Sequence, residues 1–257
     1  MRPANLPTAE TLSFLLNYLP PPPLNLLEVG CGNGELASRL QSLGYRVTAL
    51  DSSPEAIQQT KKLGVDARVA DWPDLDLESE SFDVILFTRS LHHIRPLAKA
   101  VDKASTLLRS NGLVLIEDFA FDELSSEAVA WFYDILTSLH ASKVLYLTNE
   151  NFCKDLLVEG GHVETWRRHH DHDLHPWRLM LSTLKSAFDS VVETSAPYLY
   201  RYLCPVLADD ENGYRIATHV LELEKQLETI SPGRLIGRRF AGRKTPGEAF
   251  LKPNRND

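Results

Sequence analysis

The chain has 257 residues, 43% of them hydrophobic and 24% charged, which excludes a disordered polymer and leaves room for a substantial core. Its formal net charge of −8 argues against general nucleic-acid binding, whose affinity comes from lysine and arginine. Cys31, Cys153 and Cys204 are few and widely spaced, which suits reduced thiols in a cytoplasmic protein rather than a disulfide framework.

Residues 8–19 put Leu12, Leu15, Leu16 and Leu19 on one face of an amphipathic helix, stopped by Pro20 to Pro23. Two readings are open for it, a helix at the domain edge or a lid over a ligand. Glu10 and Asn17 interrupt its apolar character, so it does not read as a signal peptide, and no apolar run approaches the ~20 residues of a membrane span. From Leu24 the pattern alternates: strand 24–29, helix 34–44, strand 45–51, helix 53–64, strand 66–71, strand 82–90, helix 96–112 and strand 113–119. This rhythm predicts a mostly parallel sheet with helices on both faces, binding its ligand at the carboxyl ends of the strands. After Phe119 the rhythm changes to helices over 122–140 and 149–161, a strand over 162–169, helices near 177–194 and 211–229, and a strand over 234–241. The tail after Gly247 is polar and reads as frayed.

The stretch LLEVGCGNGELASRL, residues 26–40, joins a strand to a helix through glycines at 30, 32 and 34. A dinucleotide loop wants G-x-G-x-x-G, but the third glycine position here is Glu35. That carboxylate, with Glu28 upstream, makes a poor host for two phosphates. It suits a nucleotide without phosphate that carries positive charge, as S-adenosylmethionine does through its sulfonium and ammonium groups. Asp51 ends the second strand, where a carboxylate can accept from ribose hydroxyls, although alone it also reads as part of a helix-capping segment before SSPEA. Asp71 ends the third strand, where it can accept from an adenine amino group, and Trp72 can pack against the ring.

With LEVGCGNG, Asp51, Asp71 and FDVILFTRSLHHI in this order, the sequence resembles the class I S-adenosylmethionine-dependent methyltransferases, in particular their small-molecule group. The resemblance covers residues 24–120 and, more loosely, the strands expected at 162–168 and 234–240. It implies a single Rossmann-like α/β domain over 1–257 with a seven-stranded sheet. Helical insertions over about 121–148 and 176–230, with the N-terminal helix, would cover the active site. It also implies that Glu28, Gly30, Gly32 and Gly34 surround the methionine end, Asp51 and Ser52 the ribose, Asp71 and Trp72 the adenine, and Thr88, Arg89 and Ser90 the sulfonium.

The acceptor is read partly from what is missing. TRSLHH stands where adenine and amide methyltransferases carry Asn/Asp-Pro-Pro-aromatic, and no Pro-Cys pair supplies a cytosine nucleophile. His92 and His93 sit at the mouth of the fourth strand, either as pocket wall or as a general base. Residues 167–177, RRHHDHDLHPW, crowd four histidines and two aspartates together, and His170 and His172 would face one side if extended. A solvated loop, acid/base or recognition work, and a metal site all stand open there, though the spacing matches no standard zinc signature. Asp118 and the aromatics Trp131, Phe132 and Tyr133 either shape an acceptor pocket or fill core, and the basic run 233–244 reads as a charged edge strand or an acidic-ligand site.

The expectation is a methyltransferase acting on oxygen, nitrogen or sulfur of a small molecule, with His93, His170 and His172 as candidates for proton transfer, no metal, and neither nucleic acid nor membrane as partner. Its rivals are a protein or peptide methyltransferase and a catalytically silent cofactor-binding partner protein; Glu35 disfavours a nicotinamide oxidoreductase. The oligomeric state is not legible.

Overall fold

The computed structural model describes residues 1–147, 151–230 and 233–244. The apolar runs become seven strands: β1 (Asn25–Val29), β2 (Arg46–Asp51), β3 (Asp66–Val69), β4 (Phe82–Thr88), β5 (Leu108–Phe119), β6 (Asp189–Ala196) and β7 (Gly237–Arg243). They form one sheet in the order β3-β2-β1-β4-β5-β7-β6, in which β7 runs antiparallel to both of its neighbours and every other pair is parallel. The order reverses between β1 and β4, and a sheet of this kind opens its ligand crevice at that point.

Alternation along each strand sorts the core into two faces. Leu26, Leu86 and Leu115 pack beneath α1 (Asn5–Leu16), α2 (Glu35–Ser42) and α3 (Pro54–Lys62). Leu27, Ile85 and Ile116 face α4 (Leu97–Leu107) and α8 (Trp177–Ala187). Local signals set the helix ends: the Ser53 hydroxyl accepts from Ala56 N at 3.1 Å, Pro54 opens α3, and Lys61 and Lys62 sit in its last turn. A third core, with Phe132, Phe152, Trp166 and Leu203, joins α5 (Ser126–Ala141), α6 (Phe152–Glu159), α7 (Val163–His169), α9 (Tyr200–Leu203) and α10 (Glu211–Ile230) into a helical cap that meets the sheet at Phe119. Each fully buried Leu or Phe contributes ~1.5–3 kcal/mol, so a buried carboxylate among them must find partners to be tolerated. Glu28, Glu117 and Asp118 are such exceptions, at most 1% exposed, and all lie toward the carboxyl ends of their strands.

Several expectations are corrected. Residues 162–169 form no strand: Val163, Trp166 and His170 are buried at helical spacing, and 163–169 is α7. The helix expected to 194 stops at Ala187, and DSVVETSA, rich in β-branched residues, pairs along β7 as the sheet edge. The segment 176–230 is therefore not wholly helical. The basic run is not an edge strand, because β7 lies between β5 and β6 with Arg238 paired to Glu123 and Arg239 to Glu117. The first helix begins at Asn5 and ends at Leu16, and α4 stops at Leu107 because Leu108 already pairs with Phe82 in the sheet. Residues 149–150 of the expected 149–161 helix and the tail after Gly247 lie outside the described residues. Among the described residues, no helix is long and apolar enough to cross a membrane.

Candidate active site

The glycine loop turns directly from β1 into α2. The N–H groups of Gly30 and Cys31 donate to the Leu50 carbonyl at 2.8 and 2.9 Å, drawing the loop across the end of β2. Gly30 has φ +76°, and a Cβ there would lie 2.3 Å from the Ser90 Cβ, so glycine is required by both backbone and packing. Gly34 has φ +75° as well, and its Cβ would strike the Thr60 side chain on α3 at 2.4 Å. Asp51 completes the loop: one carboxylate oxygen accepts from Gly32 N at 2.8 Å, the other from Ser53 N at 2.9 Å.

These elements surround a cleft of about 610 Å³ at the carboxyl ends of β1, β2 and β4. Of the residues expected from the sequence, Gly30, Gly32, Asp51, Ser52, Asp71, Trp72, Arg89, Ser90 and His93 line it. Trp72 forms its wall, 7% exposed, with the indole N–H donating to the Ala100 carbonyl at 3.2 Å. Asp74, Ile94 and Arg95 also line it and carried no signal in the sequence. Glu28, Gly34, Thr88, His170 and His172 lie outside that lining.

The two glutamates that argued for a cationic nucleotide act otherwise. Glu35 faces α1, accepting from Asn5 at 3.1 Å, Thr8 at 2.9 Å and Arg39 at 2.6 Å. Glu28 lies beneath the loop, where burial pushes its carboxyl up to about 8, so it is mostly protonated at neutral pH. One Glu28 oxygen accepts from Thr88 at 3.3 Å and the other has no partner among the described residues. The negative wall of the cleft is instead Asp51, Asp71 and Asp74, with Arg89 and Arg95 as its cations.

Next to the cleft, the strand tips bring His92 and Asp118 together. His92 is 5% exposed and Asp118 fully buried, and Nδ1 lies 2.5 Å from Oδ1. The same Asp118 oxygen accepts from Phe119 N at 2.9 Å. The rings of His92 and His93 are 4.2 Å apart, and His93 stacks on His172 at 5.8 Å. Burial and the neighbouring His92 and His172 hold the His93 pKa below its usual value. His170 does not reach the cleft: Nδ1 meets the Trp166 carbonyl at 2.9 Å and Nε2 the Tyr202 hydroxyl at 2.8 Å. Burial lowers its pKa to about 4, so the ring is neutral and occupied on both sides. The rest of the histidine-rich segment is clasped over the turn after β4. His175 N donates to the His92 carbonyl at 2.8 Å, and Arg95 pairs with Asp173. Among the described residues, no group of three or more His, Cys, Asp or Glu is arranged to hold a metal ion. Trp131 and Tyr133 are half-buried against the cap core, and Phe132 lies within it.

A second buried carboxylate, Glu117, faces α1 and gathers three arginines. Oε1 accepts from Arg201 at 2.6 Å, Arg89 at 3.2 Å and Thr11 at 2.5 Å, while Oε2 accepts from Arg239 at 2.9 Å. Burial opposes ionisation, but the guanidinium groups of Arg201, Arg239 and Arg89 outweigh it and hold the carboxyl at about 2. No local pattern in the sequence announced this cluster.

A family model described as a methyltransferase domain matches residues 5–184. An uncharacterized methyltransferase of Schizosaccharomyces pombe is 33% identical over 157 residues, covering 54% of this chain and 59% of that protein. A ubiquinone biosynthesis O-methyltransferase of Methylocella silvestris is 33% identical over 119 residues, covering 41% of this chain and 46% of that one. The chain thus matches about half the length of these curated relatives. The geranyl diphosphate C-methyltransferase of Streptomyces coelicolor A3(2), crystallised with Mg2+, geranyl diphosphate and S-adenosylhomocysteine, superposes with a TM-score of 0.59 at 13% identity, over 92% of this chain and 80% of that one. That last likeness speaks for the fold, and the family model, spanning most of the chain, carries the assignment: the chain belongs to the methyltransferase-domain family, within the class I S-adenosylmethionine-dependent methyltransferases.

Proposed function

We propose that this protein transfers a methyl group from S-adenosylmethionine to a hydroxyl group of a small molecule, and that His92, oriented by Asp118, takes the hydroxyl proton. The observation that carries this reading is the buried pair of His92 Nδ1 and Asp118 Oδ1, 2.5 Å apart at the tips of β4 and β5. An ionised carboxylate holds the imidazole hydrogen on Nδ1 and leaves Nε2 as the basic nitrogen. A catalytically silent binding protein would have no use for that pair. The relative from Methylocella silvestris is named as an O-methyltransferase, which supports the same acceptor atom.

The residues present fit the cofactor. The glycine loop offers a close backbone approach, Asp51 keeps acceptor capacity toward a ribose beyond its two loop bonds, and Asp71 stands on the wall beside Trp72. When bound, S-adenosylmethionine supplies a methyl group on a positively charged sulfur, already activated for displacement. The chain supplies alignment between that group and the acceptor, and a base for the proton released. Ser90 helps to hold the geometry, its hydroxyl donating to the Val29 carbonyl at 2.6 Å. In this reading the sheet and its helical cap act as one catalytic domain, His93 and His172 form a wall of the acceptor side, and His170 is a packing residue.

The reading is tested by incubating the protein with methyl-labelled cofactor and size-fractionated cell extract. Label in the low-mass fraction that disappears with His92→Ala is the expected result. Label on protein would replace the acceptor class, and failure to bind S-adenosylhomocysteine would overturn the activity itself.

A further inference from the structure

The arginine cluster on Glu117 contains more cation than its acids neutralise. Three guanidinium groups, of Arg89, Arg201 and Arg239, contact one carboxylate. Arg239 is bonded through Nε to Glu117 and through Nη2 to the Glu10 carbonyl, and it lies over the Phe14 ring at 5.0 Å. Arg201 is different. Its side chain is 9% exposed, and among the described residues only Nη2 is bonded, while the buried Nε and Nη1 have no partner. The nearby acids are engaged elsewhere. Glu10 pairs with Lys225 at 3.4 Å, and Glu224 accepts from the backbone N–H groups of Tyr198, Leu199 and Tyr200. A buried charged donor lacking an acceptor is costly, and a protein keeps one where a ligand completes it.

Position says which ligand. Arg89 lines the cleft and shares Glu117 and Thr11 with Arg201, so the cluster is continuous with the site. Glu117 stands on β5, two strands from β1 and its glycine loop, a displacement of about 10 Å across the sheet. Glu117 and its neighbour Asp118 point to opposite faces of the sheet, and Arg89 is the member of the cluster that lines the cleft. The rings of Tyr198 and Tyr200 flank the Arg201 guanidinium at 5.6 and 5.4 Å, and the buried Tyr200 hydroxyl also lacks a partner among the described residues.

We propose that Arg201, with Arg89, receives a carboxylate carried by the methyl acceptor, so that the substrates are small hydroxylated acids rather than neutral molecules. This names the acceptor class and rests on the methyl-transfer reading. Arg201 acts by binding and Glu117 by orienting the arginines.

The probe is benzoate against its neutral isostere benzamide, titrated by NMR into the wild-type protein with and without saturating S-adenosylhomocysteine. Benzoate is expected to bind at least tenfold more tightly than benzamide. Arg201→Gln should remove that preference while changing S-adenosylhomocysteine affinity less than threefold by calorimetry. Should Arg201→Gln not fold, the comparison of benzoate with benzamide on the wild type decides, because it needs no variant. A wild type that binds neither probe, or both equally, overturns the proposal. So does an Arg201→Gln protein whose loss falls on S-adenosylhomocysteine, because the arginine would then serve the cofactor's own carboxylate. A wild type that ignores S-adenosylhomocysteine yet prefers benzoate keeps the anion site and removes the methyl-transfer reading instead.

Discussion

Asp118 accepts the Nδ1 hydrogen of His92 at 2.5 Å in a setting where both side chains are almost wholly buried, although 26 residues separate them in sequence. This pairing gives the imidazole one tautomer and one orientation. It also distinguishes His92 from His93, whose ring stacks on His172.

His92→Ala and Asp118→Asn are each expected to slow methyl transfer by ~10²- to 10⁴-fold, the usual range for a lost general base or a misdirected imidazole. Affinity for S-adenosylhomocysteine should stay within a few-fold by calorimetry. His93→Ala and His172→Ala should each cost less than about tenfold, since neither carries the proton in this reading. A large loss confined to His93→Ala would transfer the role to that residue.

Asp51→Ala should weaken cofactor binding by about 3 kcal/mol, or ~150-fold in Kd, because charge-assisted hydrogen bonds to the loop and to the ligand vanish together. The two loop bonds, from Gly32 and Ser53, tie the affinity to the shape of the loop as well as to ribose recognition. Calorimetric titration with S-adenosylhomocysteine reads the change directly.

Gly30→Ala and Gly32→Ala make a contrasting pair. Both glycines have positive φ, but only Gly30 faces a neighbour, the Ser90 Cβ at 2.3 Å, while a Cβ on Gly32 meets nothing within 4 Å. Gly32→Ala should cost about 1 kcal/mol from backbone strain, and Gly30→Ala ~2–4 kcal/mol, since strain and overpacking add. Urea unfolding of the two variants checks the ranking, and equal losses would contradict the close approach.

Glu28 makes stability depend on pH. Its folded pKa is raised to about 8 by burial, so between its ordinary value and that point the unfolded chain has released a proton that the folded chain keeps. Stability from this group therefore falls as pH rises through that window, by on the order of 2 kcal/mol between about pH 5.5 and about pH 7.5. Glu117 has the opposite sign: its pKa of about 2 contributes stability that is fully present above the ordinary carboxylate value and is lost only as pH falls toward 2. It leaves the comparison window untouched. Urea unfolding of the ligand-free protein at the two pH values should show that Glu28→Gln removes this part of the decline, and an identical slope in wild type and variant would refute it.

The nucleotide half of the site was legible because its signals are local. A strand, a glycine turn and a helix follow one another within fifteen positions of sequence, and Asp51 ends its own strand, whereas Asp71 lies two residues past Val69, where the third strand stops. Even there, the electrostatic argument worked for the wrong residues: Glu35 faces Asn5, Thr8 and Arg39, and Glu28 holds its proton, while Asp51, Asp71 and Asp74 line the cleft. Residue type reveals a charge, but burial decides whether it is kept and packing decides where it points.

The sequence by itself determined the alternating strands and helices, the glycine loop that lines the cleft and the family, because periodicity and turn chemistry act between near neighbours. Tertiary structure alone decided the rest. It made α7 a helix because Val163 and Trp166 had a cap core to enter, and it made 189–196 a strand because β7 offered an edge to pair with. It also joined His92 to Asp118, and Arg201 to Glu117 across 84 residues. Nothing in a local pattern encodes a contact at that separation, since the strand order, not the chain, makes those residues neighbours.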